Sequence, residues 1–171
     1  MIVDDHNIYK LSNITRYCQL SKIHKESVAE HSFYVMWFIN RMCTDLDIDD
    51  NIRLLALETG LLHDIPEVIT NDITYDVKKM IPEIPELLKP YEEEIIGEHS
   101  NVAVKVLYNP ETYEEIVANR LVRHADNLSV LQYCRHEEQL GNKSFKELSH
   151  DSLHRVSVSQ YELATAIQGG K

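Results

Sequence analysis

Residues that bend, break or cross-link a chain are scarce in this sequence. It has five glycines, five prolines and three cysteines among 171 residues. With so few glycines and prolines, there are few points at which a helix is forced to end. Cys18, Cys43 and Cys134 are widely spaced, odd in number and form no CxxC pair, so they indicate no disulfide framework. A reducing cytoplasm is therefore the expected environment.

Long apolar runs and an excess of positive charge are also missing. The longest tight apolar stretch is VMWFI at 35–39, which is too short to span a bilayer. The first thirty residues carry several charges and no long apolar run, so we expect no usual secretory signal. The net charge of −11 argues against a general nucleic-acid surface. An anionic substrate would need a local source of positive charge, for which a bound metal is the usual device.

Hydrophobic residues recur mostly at the helical period, and nothing in the sequence indicates a β-hairpin. We predict an all-α protein of about six helices, which cover roughly 5–20, 28–45, 50–63, 86–107, 111–140 and 150–168. SVAE at 27–30 matches a capping box, with Ser27 as the cap and Glu30 three residues on. The stretch 70–82 is expected to be irregular, with one short helical turn. The length fits one domain, 1–171.

One inward histidine stands out in the second predicted helix. Val28, Val35, Phe38 and Met42 form an apolar stripe at helical spacing, and His31 lies on the same stripe. Taken alone, such a residue is more often a core histidine satisfied by hydrogen bonds than a ligand. A functional interpretation therefore needs further polar residues that point to the same place.

Two other predicted helices supply those residues. His63 lies at the inner end of the third helix and is followed directly by Asp64, while Asp126 lies on the inner face of the fifth. A buried carboxylate without a partner is costly, so each aspartate should have a cation nearby. Two histidines and two aspartates satisfy one another when they share one divalent metal. This mixture suits Co, Mn, Zn, Fe or Ni better than Ca, and four protein ligands with room for water indicate a catalytic site.

Three segments carry a family resemblance. The order His…His-Asp…Asp resembles that of the HD-domain phosphohydrolases, which are named for the adjacent pair. EHS at 30–32, HDIPEVITND at 63–72 and HADNLSVLQYC at 124–134 resemble in particular the bacterial YfbR-type 5′-deoxynucleotidases and the phage DatZ-type dATP triphosphohydrolases. Arg16–Tyr17 stands where that family has an arginine followed by an aromatic residue, usually tryptophan. The resemblance implies a helical HD domain, a homo-oligomer and a cytoplasmic location, in a bacterium or in the host of a phage.

The resemblance also implies a role for each matching residue. According to the resemblance, His31, His63, Asp64 and Asp126 would bind one divalent transition metal. The catalytic and substrate-binding residues would be Glu67 as a catalytic carboxylate, Arg16 as a phosphate contact, Asp72 as a contact to sugar or water, and Tyr17 beside the substrate. Glu67 lies three residues beyond Asp64, which is close enough to face the metal. Because it is not needed as a ligand, it is available for proton transfer. Arg16 would hold phosphate with its fork-shaped set of donors.

We therefore expect a metal-dependent phosphohydrolase that cleaves the 5′ phosphate ester of 2′-deoxynucleotides with a water acidified by the metal. An alternative within the class is hydrolysis of a dNTP, with dATP favoured by the DatZ resemblance, to deoxynucleoside and triphosphate. A non-enzyme alternative is a nucleotide-sensing module, which Glu67 argues against because a sensor needs no proton-transfer group. The expected partner is a deoxynucleotide, with neither a nucleic-acid polymer nor a membrane.

Several lysines near these motifs bear on how many phosphates the substrate carries, but they do not decide the number. Lys78 and Lys79 form either a solvated pair or a clamp on the distal phosphates of a triphosphate. Lys22 and Lys25 lie in the segment that follows Arg16 and add two more cations. Four cations are more than a monophosphate needs, so this pattern keeps the triphosphate alternative open.

Overall fold

Helices account for the regular structure in the computed structural model, which describes residues 2–169. Within this range the α-helices are α1 (Val28–Asp45), α2 (Asp50–Leu62), α3 (Glu67–Thr70), α4 (Tyr75–Met80), α5 (Glu83–Gly97), α6 (Asn101–Tyr108), α7 (Tyr113–Gln139) and α8 (Lys146–Gln168). Two short 3-10 helices cover Ile8–Ser12 and Lys143–Phe145. The all-α prediction is confirmed. The first residue and the last two residues of the predicted domain 1–171 lie outside the described residues.

The start of α1 follows the predicted capping box. The Glu30 N–H donates to Ser27 Oγ at 3.2 Å, and the Ser27 N–H donates to Glu30 Oε2 at 2.7 Å. Both groups would otherwise lack partners at the helix end. Because His31 lies in this first turn, the same cap fixes the backbone that carries its side chain.

The end of α2 creates the turn that carries the His-Asp pair. The helix begins at the Asp49 cap and ends at Leu62, within one residue of the predicted end. Pro66 has no N–H to continue the helical hydrogen bonds, and α3 begins at the next residue. His63 and Asp64 therefore lie in a tight turn between α2 and α3, where their side chains are not confined to one helical face.

A close contact between α1 and α2 brings the two histidines together. A β-carbon on Gly60 would lie only 2.5 Å from Ile39 Cδ1, so the missing side chain lets the helices approach. The rings of His31 and His63 have centroids 5.5 Å apart. The long helix α7 packs against both α1 and α2 and supplies the third side of this region. The buried residues at this junction include Val35, Ile39, Ala56, Leu121, Val122 and Ala125.

The prediction of a first helix over 5–20 is wrong. Only the 3-10 helix Ile8–Ser12 forms there. Beyond it, Thr15 makes an isolated antiparallel bridge with Ser27, and the Arg16 N–H donates to the Glu26 carbonyl at 3.0 Å. The backbone of this segment thus pairs with the residues that precede α1. This long loop, which ends at Ser27, holds Arg16 and Tyr17.

Two other predicted helix boundaries are also wrong. The helix expected over 86–107 is divided into α5 and α6, because Ser100 starts a new helix by accepting the Ala103 N–H at 3.1 Å. The last helix begins at Lys146 and not at residue 150. The irregular stretch predicted over 70–82 contains the short helix α4, as expected. Among residues 2–169, no helix combines the length and apolar character needed to cross a membrane.

A buried glutamate fastens the loop before α1 to the end of α7. The Glu137 carboxylate accepts the N–H groups of Ile23 and His24 at 2.9 and 2.6 Å, and the side-chain amide of Asn142 at 2.6 Å. Burial alone would raise the pKa of Glu137, but these donors lower it below its usual range. An ionised carboxylate therefore anchors the loop that carries Lys22.

Candidate active site

Four predicted ligand residues converge from three parts of the chain. His31 comes from α1, His63 and Asp64 from the turn after α2, and Asp126 from α7. His31 Nε2 lies 3.2 Å from Asp126 Oδ1 and 3.5 Å from Asp64 Oδ2, while His63 Nε2 lies 3.3 Å from the same Asp64 oxygen. Ligand atoms of His31, His63 and Asp64 all lie within 4.8 Å of one another. Asp126 joins this group of three through its contact with His31.

The hydrogen bonds of the two histidines suit metal binding. Within residues 2–169, the Nε2 atoms of His31 and His63 are buried and have no hydrogen-bond partner. On the opposite side of the rings, His63 Nδ1–H donates to the Gly60 carbonyl at 2.8 Å, and His31 Nδ1 lies 3.0 Å from Ser129 Oγ. A proton on Nδ1 leaves the Nε2 lone pair free for a metal. Two imidazole nitrogens and two carboxylates fit a divalent transition ion.

The charges of this group are arranged for a cation. Burial alone would raise the pKa values of Asp64 and Asp126, but His63, His31 and Arg16 reverse this effect. The pKa of Asp126 falls to about 2, and that of Asp64 falls far below its usual range. Burial opposes protonation of His63, yet Asp64 raises the pKa of that imidazole to about 9. Metal binding should therefore release a proton from His63.

One side of the group remains open. The side chain of Asp126 is 42% exposed and that of Asp64 is 20% exposed, whereas His31 is fully buried. The two histidines thus form the inner wall, and the carboxylates face the outside. This leaves room for water and substrate beside the four protein ligands, as in catalytic sites rather than closed structural ones.

Arg16 lies at the inner edge of this group. Its Nη1 atom contacts His31 Nδ1 and lies 3.4 Å from Glu26 Oε2. Glu26 is buried, and burial raises the pKa of its carboxyl to about 7 although Arg16 opposes the shift. Arg16 is a donor only, so it competes with Ser129 for His31 Nδ1. A metal on Nε2 would require the proton on Nδ1. Ser129 would then accept from Nδ1–H, and Arg16 would have to leave this nitrogen.

Glu67 occupies the first position of α3, next to the His-Asp turn. Its Oε2 atom is buried and has no hydrogen-bond partner in the described part of the chain. Burial, followed by the charges of Asp64 and Asp72, raises the pKa of Glu67 to about 8. A bound cation would draw this pKa down again. A carboxyl with a pKa close to neutral is suited to transfer protons during catalysis.

A polar cavity of about 440 Å³ lies beside Arg16, while neither the four predicted ligand residues nor Glu67 is among its lining residues. Its lining includes four residues of the predicted site: Arg16, Tyr17, Asp72 and Lys79. Lys78 is not among the lining residues, although its charge lowers the pKa of Glu67. Both lysines are exposed on α4. Of the two predicted lysines, only Lys79 therefore lies on the cavity wall.

The opposite wall of the cavity was not predicted. Glu147, Asp151 and Arg155 follow one another at four-residue spacing on α8 and all line the cavity. Arg155 also lies over the ring of Tyr75, with 5.0 Å between its guanidinium carbon and the ring centroid. The spacing was visible in the sequence, but nothing there indicated that α8 packs beside Arg16. Ser129 was likewise missed, because only the fold places it next to His31.

Comparison with solved structures identifies the fold. The cyanophage S-2L HD phosphohydrolase DatZ, solved bound to dA and one catalytic Zn²⁺ ion, aligns with a TM-score of 0.75 at 18% identity. The alignment covers 99% of this chain and 97% of DatZ. An HD-domain phosphohydrolase from Listeria innocua aligns with a TM-score of 0.63 at 21% identity, over 95% of this chain and 82% of that one. The fold is that of the HD-domain phosphohydrolases.

Sequence comparison defines the family. The model of the YfbR-like 5′-deoxynucleotidases matches residues 6–166, and the chain therefore belongs to this family. A 5′-deoxynucleotidase of Yersinia pestis (strain Pestoides F) is 27% identical over 149 residues, which is 81% of this chain and 75% of the Yersinia protein. A dATP triphosphohydrolase of Acinetobacter phage SH-Ab 15497 is 34% identical over 85 residues. That match spans 44% of this chain and only 41% of the phage protein.

The partner of His31 yields a testable prediction. Ser129→Ala should lower the affinity for Zn²⁺ or Co²⁺ by about 10–100-fold, because Arg16 is then the remaining partner of Nδ1 and favours the proton on Nε2. Competition titration against a chelator measures this affinity. Ser157→Ala, which removes an exposed hydroxyl on α8, is the matched control and should bind metal as the wild type does. An unchanged affinity in Ser129→Ala would contradict this account of His31.

Proposed function

We propose that this chain hydrolyses 2′-deoxynucleoside 5′-monophosphates to deoxynucleoside and phosphate, using one divalent transition ion held by His31, His63, Asp64 and Asp126. One observation carries the proposal: two buried imidazole nitrogens without hydrogen-bond partners face two ionised carboxylates. Membership of the YfbR-like 5′-deoxynucleotidase family supports the substrate class. The zinc in DatZ makes Zn²⁺ the first ion to test, without fixing the identity of the metal.

The proposed reaction breaks the bond between phosphorus and the 5′ oxygen. The metal, when bound, supplies a Lewis acid that lowers the pKa of a water and polarises the phosphate. Arg16 donates to phosphate oxygens and offsets their charge in the transition state. Glu67 gives its proton to the departing 5′ oxygen. The oxygen of water and one of its protons become part of the released phosphate, and the other proton restores Glu67. Burial, the largest cause that raises the pKa of Glu67, acts with or without the metal and favours the protonated carboxyl that this step needs.

The nucleoside is proposed to occupy the polar cavity of about 440 Å³. This volume lies within the range of small-molecule sites, and the cavity begins at Arg16 and Asp72, where the phosphate and sugar would meet. One Asp72 oxygen accepts the Tyr17 N–H at 3.1 Å, which leaves the other to contact the sugar. Tyr17 would lie beside the sugar and base. Its ring is held by parallel stacking on Tyr133, with centroids 5.1 Å apart.

The arrangement of charges favours a monophosphate over a triphosphate. The cavity is lined by three basic residues, Arg16, Lys79 and Arg155, but by four acidic ones, Asp72, Asp76, Glu147 and Asp151. The Lys22 ammonium is already bound to backbone carbonyls at 2.6 and 2.9 Å. A triphosphate in a chain of net charge −11 would need more local cations than this. Hydrolysis of dATP to deoxyadenosine and triphosphate is the second candidate, supported by the partial match to the phage enzyme and by Lys78 and Lys79.

The formation of a homo-oligomer by this protein remains a prediction. Helix α1 exposes Phe33 and Trp37, at 58% and 56% of their surfaces, beside a largely apolar cavity of about 600 Å³. Exposed apolar patches of this kind are often covered in assemblies. Light scattering of the purified protein measures the number of subunits directly.

The role of Glu67 can be separated from metal binding. Glu67→Ala should keep about one metal ion per chain but lower kcat by roughly 10²–10⁴, which is the usual effect of removing a positioned acid or base. Metal analysis and steady-state kinetics on dAMP measure the two properties. Glu86→Ala, an exposed carboxylate on α5, is the control and should leave both unchanged. Loss of the ion in Glu67→Ala would make Glu67 a ligand, and wild-type turnover would remove it from the mechanism.

Substitution of the two lysines on α4 tests how many phosphates the substrate carries. If the enzyme acts on monophosphates, Lys78→Ala/Lys79→Ala should change kcat/KM for dAMP and dATP by the same small factor, because neither side chain grips a distal phosphate. Phosphate and triphosphate must be measured as separate products. Lys10→Ala/Lys143→Ala removes the same charge elsewhere on the surface and is the control. A loss confined to dATP would favour the triphosphohydrolase.

A further inference from the structure

The backbone at Tyr17 adopts a conformation that needs support. Its φ angle is +55°, in the left-handed region that residues other than glycine rarely occupy. Tyr17 directly follows Arg16, so the direction of this turn determines where the guanidinium lies. Unfavourable backbone conformations persist only where the surrounding contacts hold them. The contacts that hold this turn therefore also control the proposed phosphate contact.

Lys22 provides two of these contacts. Its ammonium donates to the carbonyl of Arg16 at 2.6 Å and to the carbonyl of Tyr17 at 2.9 Å. Asp72 provides a third by accepting the Tyr17 N–H at 3.1 Å. The loop of Lys22 is itself fixed, because the next two backbone N–H groups donate to the buried Glu137. A lysine ammonium has three donors, and two of them are directed at the turn.

We propose that Lys22 is a positioning residue, which holds the Arg16–Tyr17 turn so that the Arg16 guanidinium faces the phosphate of the substrate. This proposal rests on the proposed function, in which Arg16 binds that phosphate. It replaces the expectation that Lys22 adds a free cation for distal phosphates. The Lys22 ammonium is bound to two carbonyls and so fixes backbone geometry, and its loss would act on the substrate through Arg16 and Tyr17.

Kinetics distinguish positioning from direct phosphate binding. Lys22→Met keeps much of the apolar stem but removes the donors. Displacement of a substrate-holding group by about 1 Å can cost on the order of 100-fold, so we expect a 10–100-fold loss in kcat/KM. The loss should be equal for dAMP and dATP, appear mainly in KM, and leave metal affinity unchanged. Lys22→Arg can still donate to two carbonyls and should recover most of the activity. Lys10→Met, at an exposed lysine in the 3-10 helix Ile8–Ser12, should behave as wild type.

Hydrogen exchange tests the turn without reference to activity. The Tyr17 amide should be protected in the wild type, in Lys22→Arg and in Lys10→Met, and should exchange faster in Lys22→Met. Unchanged protection in Lys22→Met would overturn the proposal, as would a kinetic loss confined to dATP. If the wild type hydrolyses no deoxynucleotide, the proposed function fails, while the exchange result still decides whether Lys22 holds the turn.

Discussion

The structure depends on the burial of two histidines whose Nε2 atoms face two carboxylates. His31 and His63 have these atoms buried, within 3.5 Å of oxygens from Asp64 and Asp126. Without a metal, the attraction between a protonated His63 and Asp64 offsets part of the cost of burying these polar atoms. Several local features serve to assemble this group: the cap at Ser27, the helix contact at residue 60 and the turn at residue 66. A metal would satisfy all four side chains at once.

The parts of the site that the sequence predicted are those set by local pattern. Helical spacing placed His31 on an inward stripe, and the capping box fixed the start of α1, since both depend on residues within a few positions. The loop that precedes α1 could not be predicted in this way. Its conformation rests on long-range contacts, such as those of Ile23 and His24 with Glu137, more than 110 residues away. Its composition resembled a helix, and tertiary contacts overrode that tendency.

Charged residues were harder to interpret than apolar ones for the same reason. Lys22 looked like a free cation in the sequence, but the fold commits its ammonium to the backbone. Glu147 and Asp151 formed part of no motif in the sequence, but both line the cavity beside Arg16. A charge count therefore overstated the cations available to phosphate. In this acidic protein, a metal held by the four side chains and the guanidinium of Arg16 would be the sources of positive charge for an anionic substrate.

Anomalous diffraction from crystals grown with Zn²⁺ or Co²⁺ tests the central claim most directly. Data collected at the absorption edge of the metal should show one strong peak per chain among the four side chains. The ion should lie about 2.0–2.2 Å from Nε2 of His31 and His63 and from one oxygen each of Asp64 and Asp126. Absence of a peak at saturating metal, or a peak bound by other residues, would contradict the account.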